Sequence, residues 1–125
     1  MGEIYKSTCK ACGKSWEYKI GCGIEHCNLD VVLDFFDEEV RNKVRTWASG
    51  KIFPRFQFNF HKAVCTTCKD MVGVPVIKLI PENILYIGGC EECGNKVEVI
   101  EDKDNKKCPI CGKNELEELV EVLWD

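Results

Sequence analysis

Four Cys-x-x-Cys pairs constrain this chain of 125 residues more than any other feature of its sequence. Eight thiols in matched pairs make two sets of four, which is the number of ligands in a closed structural zinc site. Small modules bury too little apolar surface to fold unaided, so the sequence predicts that metal or disulfides complete its core. The four pairs are Cys9/Cys12, Cys65/Cys68, Cys90/Cys93 and Cys108/Cys111.

The expected compartment favours metal over disulfides. The N-terminus has no apolar run behind a basic start, so we expect no signal peptide. No stretch approaches the roughly 18 apolar residues of a membrane span. We therefore expect a cytoplasmic chain, in which thiols stay reduced and paired cysteines bind metal. A redox pair of the thioredoxin type would open a helix in a βαβ unit, and no pair here has that context.

Hydrophobic periodicity predicts a helical segment flanked by strands. Apolar residues between Leu29 and Trp47 recur at steps of three and four, and Asp37 precedes two glutamates as a helix cap would. The pattern predicts a helix over 38–49 with a shorter helical piece before it, although 31–36 also fits a strand. Strands are predicted at 15–20, 55–61, 74–80 and 96–101, and the last five residues favour strand over helix.

Spacing along the chain suggests how the thiols divide into two sites. Cys90 to Cys111 is a compact four-thiolate set with a predicted hairpin between its two halves. The first two pairs then form the other site, separated by 52 residues that carry the helix. Such an insertion is tolerated because each doubling of a loop costs only about 0.6 kcal/mol.

The compact set resembles the zinc-ribbon superfamily over roughly residues 84–125. Its last turn, Cys108-Pro109-Ile110-Cys111-Gly112, resembles the knuckles of rubredoxin-like modules, although Asn95 stands where rubredoxins typically place an aromatic residue. The wider arrangement resembles small uncharacterised bacterial zinc-ribbon proteins. We therefore expect a small metal-stabilised α+β fold of two zinc-ribbon β units. Residues 1–81 would form the first, with a helical insertion at about 29–50, and residues 82–125 the second.

Two further cysteines and a histidine leave other ligand sets open. Cys22 and Cys27 could join Cys9 and Cys12 in a closer-spaced site, which would leave the second pair without partners. Together with His26 they could also supply a third metal site. The simplest interpretation is that Cys22 and Cys27 are free or buried thiols.

Charge is unevenly distributed along the chain. The formal net charge is −4, and each zinc ion held by four thiolates carries −2, so two such sites take it to about −8. Residues 41–69 contain seven cations and no acid, interleaved with aromatic residues, whereas residues 82–125 contain twelve acids and five lysines. Cations beside aromatics are typical of single-strand nucleic-acid binding, unless the aromatics form the core. The candidate contacts are Arg41, Lys43, Arg45, Lys51, Arg55 and Lys62.

No catalytic triad or phosphate-binding glycine loop is apparent in the sequence. We therefore predict a non-enzymatic binding or adaptor module that uses two zinc ions to fold. Its partner would be a protein or a nucleic acid, and not a membrane. The alternative is a rubredoxin-like electron-transfer protein with iron, because thiolates accept either metal.

Overall fold

A computed structural model describes residues 2–90, 92–100 and 106–124. Two α-helices and a short 3-10 turn at Ile24–Cys27 accompany the strands, and no described helix is both long and apolar enough to cross a bilayer. The helices are α1 (Leu29–Leu33) and α2 (Glu38–Ala48). The strands are β1 (Gly2–Cys9), β2 (Ser15–Gly21), β3 (Arg55–Cys65), β4 (Asp70–Ile80), β5 (Ile84–Ile87), β6 (Glu98–Val99) and β7 (Leu116–Trp124).

The predicted fold class, a small metal-stabilised α+β fold of two zinc-ribbon β units with a helical insertion in the first, is wrong. The described chain is mostly antiparallel sheet, with strand order β5-β4-β3-β2-β1-β7 and β6 pairing with β3. Strand β7 lies along the whole of β1, from Gly2 opposite Trp124 to Cys9 opposite Leu116. Local periodicity does not reveal this pairing, because it joins the two ends of the chain.

The hairpin of β3 and β4 carries the larger core. These strands pair from Arg55 opposite Ile80 to Cys65 opposite Asp70, and their alternation turns Phe58 and Phe60 inward. Both helices lie over that face and bury Val32, Leu33, Phe36 and Val44 against it, with Ile77 and Leu79.

The helical predictions for this region are confirmed. Helix α1 forms at Leu29–Leu33, so the alternative of a strand at 31–36 is wrong, and α2 begins after Asp37 as its cap predicts. The Asp37 carboxylate accepts a hydrogen bond from the amide of Val40 at 2.9 Å. That bond satisfies one of the free amides at the start of a helix.

A second core lies between β2, β4 and the end strands. Trp16, Tyr18 and Leu116 are buried there beside Met71, which comes from β4. The Tyr18 hydroxyl lies 2.6 Å from the buried Ser7 hydroxyl, so its polar end is satisfied. Two cysteines, Cys9 and Cys108, complete the same cluster.

Strands β2 and β4 approach each other very closely. A Cβ atom added at Gly73 on β4 would lie 2.1 Å from the carbonyl oxygen of Lys19 on β2, so only glycine fits. Nearby, the Trp16 indole N–H donates to the Asp70 carboxylate at 2.9 Å. These contacts fix the position of the first cysteine turn relative to the second.

Candidate metal centres

Each Cys-x-x-Cys pair lies on the same kind of tight turn. The residue after the second cysteine donates its amide to the carbonyl of the first cysteine, at 2.7–2.9 Å in all four turns. That residue has a positive φ of 57° to 78°, a conformation that favours glycine. Three turns place glycine there and the second places Lys69, at a cost of about 1–2 kcal/mol for a residue with a Cβ.

The first cluster joins the two ends of the chain, and we call it the outer cluster. It consists of Cys9, Cys12, Cys108 and Cys111, on the turn between β1 and β2 and on the turn before β7. The Sγ atoms of Cys9 and Cys111 are 3.6 Å apart, and those of Cys12 and Cys108 are 3.7 Å apart. The pairing of β1 with β7 brings these two turns together.

The second cluster lies inside the first in sequence, and we call it the inner cluster. It consists of Cys65, Cys68, Cys90 and Cys93, on the β3–β4 turn and on the turn that follows β5. The Sγ atoms of Cys65 and Cys93 are 3.5 Å apart. Because β5 pairs with β4, the chain returns from β5 to the end of the hairpin where Cys65 lies.

Both clusters fit a tetrahedral metal ion. Four sulfurs at about 2.3 Å from zinc are about 3.8 Å from one another, close to the distances measured here. A disulfide would require about 2.05 Å, and all ten cysteines are free thiols. In each cluster the ligand atoms of all four residues lie within 4.8 Å of one another. The chain therefore has two four-cysteine clusters that can each hold a metal ion.

The predicted division of the thiols between the sites is corrected by this geometry. Proximity in sequence favoured joining the last two pairs, which are separated by only 14 residues. The structure instead pairs the first turn with the fourth and the second with the third. The reason is that strand pairing, not chain proximity, decides which turns meet: β7 pairs with β1, whereas β5 pairs with β4.

The thiols of a cluster are not equivalent electrostatically. The backbone amide of Cys12 lowers the pKa of Cys9 to about 7. The backbone amide of Asn95 likewise lowers the pKa of Cys93 to about 7. The pKa of Cys68 is raised, first by the neighbouring Cys93 thiol and then by burial. In the inner cluster, one thiol therefore ionises near neutral pH and opposes ionisation of its neighbour until a cation binds.

The structure does not bring Cys22, Cys27 or His26 into either cluster. The Nδ1 atom of His26 accepts a hydrogen bond from the Gly23 amide at 2.8 Å, and its ring lies against Phe58 at 4.8 Å between centroids. Cys22 is half-buried against the helical core, and Cys27 is exposed. Their possible role as ligands stays a prediction.

The predicted nucleic-acid contacts lie around α2 and β3. Among the aromatics that motivated them, Phe58 and Phe60 are buried and Phe56 packs on the same core. Lys62 is ion-paired with Glu118, and Lys43 with Glu39 at 3.0 Å. The other candidate cations are Arg41 and Arg45 on α2, Lys51 after it, and Arg55 at the start of β3.

Sequence reasoning missed the side chains that connect the two clusters. Met71 comes from the hairpin of the inner cluster and is buried with Cys9 and Cys108 of the outer one. Asp70 pairs with Cys65 in the ladder and accepts the Trp16 hydrogen bond. Asp70 and Met71 directly follow the Cys65–Lys69 turn, but nothing in their spacing indicates contacts to the first turn.

No family model, curated protein or solved structure matches this chain. The zinc-ribbon likeness therefore stays a resemblance in its cysteine turns.

Proposed function

We propose that this chain is a zinc protein whose two metal ions are structural, and that it serves as a protein-binding module. The observation that carries the proposal is the pair of four-thiol clusters with sulfur separations of 3.5 to 3.7 Å. Zinc does not change its oxidation state and is bound tetrahedrally by four thiolates, so it suits two sites of this kind.

The position of the clusters supports a structural role. The first cysteine of every pair is buried, and Cys9 and Cys108 form part of a core cluster with Trp16 and Met71. All four coordination positions of each ion would be filled by protein sulfur, which leaves none for water or substrate. Metal binding would thus supply folding free energy that the burial of apolar surface in small modules does not provide alone.

A protein partner fits the surface better than a nucleic acid does. Stacking of successive bases needs several exposed aromatic faces, and of the phenylalanines in the basic segment Phe58 and Phe60 are buried while Phe53 is exposed. The formal charge of −4, about −8 with two tetrathiolate zinc ions, repels a polyanion. Exposed apolar side chains, in contrast, are numerous on β7 and in the loop after α2.

Elemental analysis of the protein purified without added metal tests the metal assignment. We expect about two zinc ions per chain in a colourless sample. Replacement by cobalt should give the intense visible bands of tetrahedral tetrathiolate sites in both clusters. A red protein with iron in either cluster would overturn the proposal and favour the rubredoxin-like alternative.

A further inference from the structure

The four most exposed large apolar side chains that the structure describes lie on two surfaces, and the exposed apolar residues of β5 are less exposed than these four. The first is the tip of the loop after α2, formed by Ile52 and Phe53, whose residues are each 86% exposed. The second is the β7 edge, whose four apolar residues are 50–61% exposed. Exposed apolar surface of this kind marks interaction sites. The β7 edge consists of Leu119, Val120, Val122 and Leu123. Val120 and Leu123 pair with Tyr5 and Glu3 on one face of the sheet, and Leu119 and Val122 pair with Lys6 and Ile4 on the other.

The tip stands on an anchored base. Gly50 has a φ of +81°, which lets the chain turn at the end of α2, and the Lys51 amide donates to the Ala48 carbonyl at 3.0 Å. The Trp47 indole N–H donates to the Glu82 carboxylate at 3.1 Å, and the Lys51 ammonium lies 5.1 Å from the centroid of the Trp47 ring. The apolar tip is thus held outward before any partner arrives, which lowers the entropic cost of docking.

The tip has basic flanks. Lys51 precedes it, Arg55 follows it after one proline, and no acid occurs between residues 41 and 69. Within the described ranges, Arg55 forms no ion pair. The surface that receives the tip should therefore be apolar with an acid in reach.

The β7 edge has that chemistry. Val120 pairs with Tyr5 and Val122 with Ile4, so Glu121 is the extra residue of a β-bulge. Glu121 is exposed and makes no ion pair with any other residue that the structure describes. It stands between two apolar pairs, Leu119-Val120 and Val122-Leu123.

The bulge also decides how a partner can bind. A bulge and a charge on an edge strand obstruct the addition of another strand. Side chains inserted from a loop need no backbone ladder and are compatible with a bulged edge. The β7 edge is therefore suited to receive a protruding loop and is poorly suited to extend the sheet.

We propose that the tip of one copy docks on the β7 edge of a second copy, with Lys51 and Arg55 facing Glu121. The inference rests on the proposed role as a protein-binding module and names the partner. A contact of this kind covers the tip and the face of the β7 edge that carries Val120 and Leu123, and it pairs surfaces of opposite charge. The contact is heterologous, because it joins two different surfaces, and each copy offers both halves.

Sedimentation velocity of the zinc-loaded full chain tests the proposal. Phe53→Asp replaces the apolar side chain of the tip by a carboxylate. Leu123→Lys places a cation on the β7 edge, where Glu3 lies opposite and can pair with it. Leu85→Asp is the matched control, since Leu85 is a 55% exposed residue of β5 opposite Lys78. Circular dichroism and zinc content of each variant check that it is folded.

The wild-type chain should associate increasingly with concentration, as should Leu85→Asp. Each of the other two variants alone should associate at least about tenfold more weakly. Mixed in equal amounts, they retain one intact tip and one intact edge between them, so they should form 1:1 pairs that do not grow. Glu121→Lys and Arg55→Glu should each weaken association, and the two combined in one chain should restore it.

Several results would overturn the proposal. A wild-type chain that stays monomeric at about 300 μM would do so, since even weak contacts of this type are populated there. A mixture that stays monomeric, or a Phe53→Asp variant that associates like wild type, would exclude docking of the tip. Binding of a monomeric chain to phosphatidylserine vesicles or to a labelled oligonucleotide, lost in Phe53→Asp, would assign the tip to those partners. Metal content measured on the same samples separates any of these outcomes from a failure of the zinc assignment.

Discussion

Replacing two cysteines at once distinguishes the observed nested arrangement of the cysteine turns from a sequential one. In the nested arrangement the first turn shares a site with the fourth and the second with the third, whereas a sequential arrangement joins the first to the second and the third to the fourth. In the double variant Cys9→Ser/Cys111→Ser both changes fall in the outer cluster, so the inner cluster should still bind one metal ion per chain. In Cys9→Ser/Cys65→Ser each cluster loses one ligand, and we expect metal content close to zero. A sequential pairing of the turns would give the opposite result for both variants.

The expected consequences for stability follow from the sizes involved. A structural tetrathiolate zinc site contributes on the order of 10 kcal/mol, which is comparable to the whole net stability of a small domain. The outer site closes the 95 residues between Cys12 and Cys108, whereas the inner site closes the 21 between Cys68 and Cys90. The longer closure costs about 1.3 kcal/mol more in chain entropy. The outer site should therefore be the first to open when zinc becomes limiting.

The assay combines metal analysis with amide hydrogen exchange. In the outer-cluster variant, β7 and β1 should lose protection, while the β3–β4 hairpin stays protected by α1, α2 and its own metal site. Single variants Cys9→Ser and Cys111→Ser serve as controls and should match the double variant. The reasoning is refuted if Cys9→Ser/Cys111→Ser loses both ions, or if Cys9→Ser/Cys65→Ser keeps one.

Three further predictions concern the contacts around the clusters. Gly73→Ala forces a Cβ against the Lys19 carbonyl and should lower the free energy of unfolding, measured by thermal denaturation, by about 2 kcal/mol or more. Gly50→Ala has open space around it and should lower the same free energy by only about 1 kcal/mol, because of its positive φ. Equal losses in the two variants would contradict this. Trp16→Phe removes the hydrogen bond to Asp70 and should lower the free energy of unfolding by about 1 kcal/mol. A double-mutant cycle of Trp16→Phe with Asp70→Ala that shows no coupling energy would count against the bond. Because binding requires up to four thiols per site to lose protons, apparent zinc affinity should fall by up to about 10⁴-fold per pH unit on acidification, and a chelator competition that is independent of pH would disprove thiolate ligation.

The sequence predicts the local structure of this chain well. The apolar steps between Leu29 and Trp47 lead to α1 and α2, and alternation at 55–61 leads to β3 with its phenylalanines inward. The pattern predicts a strand at 96–101, and Glu98–Val99 of it forms β6. Residue 101 lies outside the described residues. The pattern predicts a strand over the last five residues; β7 includes 121–124 and begins earlier, at Leu116, while residue 125 lies outside the described residues. Such features depend on neighbours within a few positions, so a single sequence carries them.

The global arrangement could not be predicted in the same way. Which turn meets which depends on the pairing of β1 with β7, and these strands lie at opposite ends of the chain. Strand β1 was not predicted, since Gly2–Cys9 shows no clean alternation of apolar and polar residues. Four similar turns then allow more than one division into two sites, and the shortest loop is only weakly preferred energetically.

The nested order makes the two clusters unequal. Cys65 of the inner cluster pairs with Asp70, which holds Trp16, and the next residue, Met71, packs against Cys9 and Cys108 of the outer cluster. Loss of the inner ion would therefore displace residues that the outer cluster needs. Loss of the outer ion releases chiefly β7, which pairs only with β1 within the described sheet. The inner cluster thus supports the outer one more than it depends on it, and a Cys65 variant should disturb both sites where a Cys111 variant disturbs one.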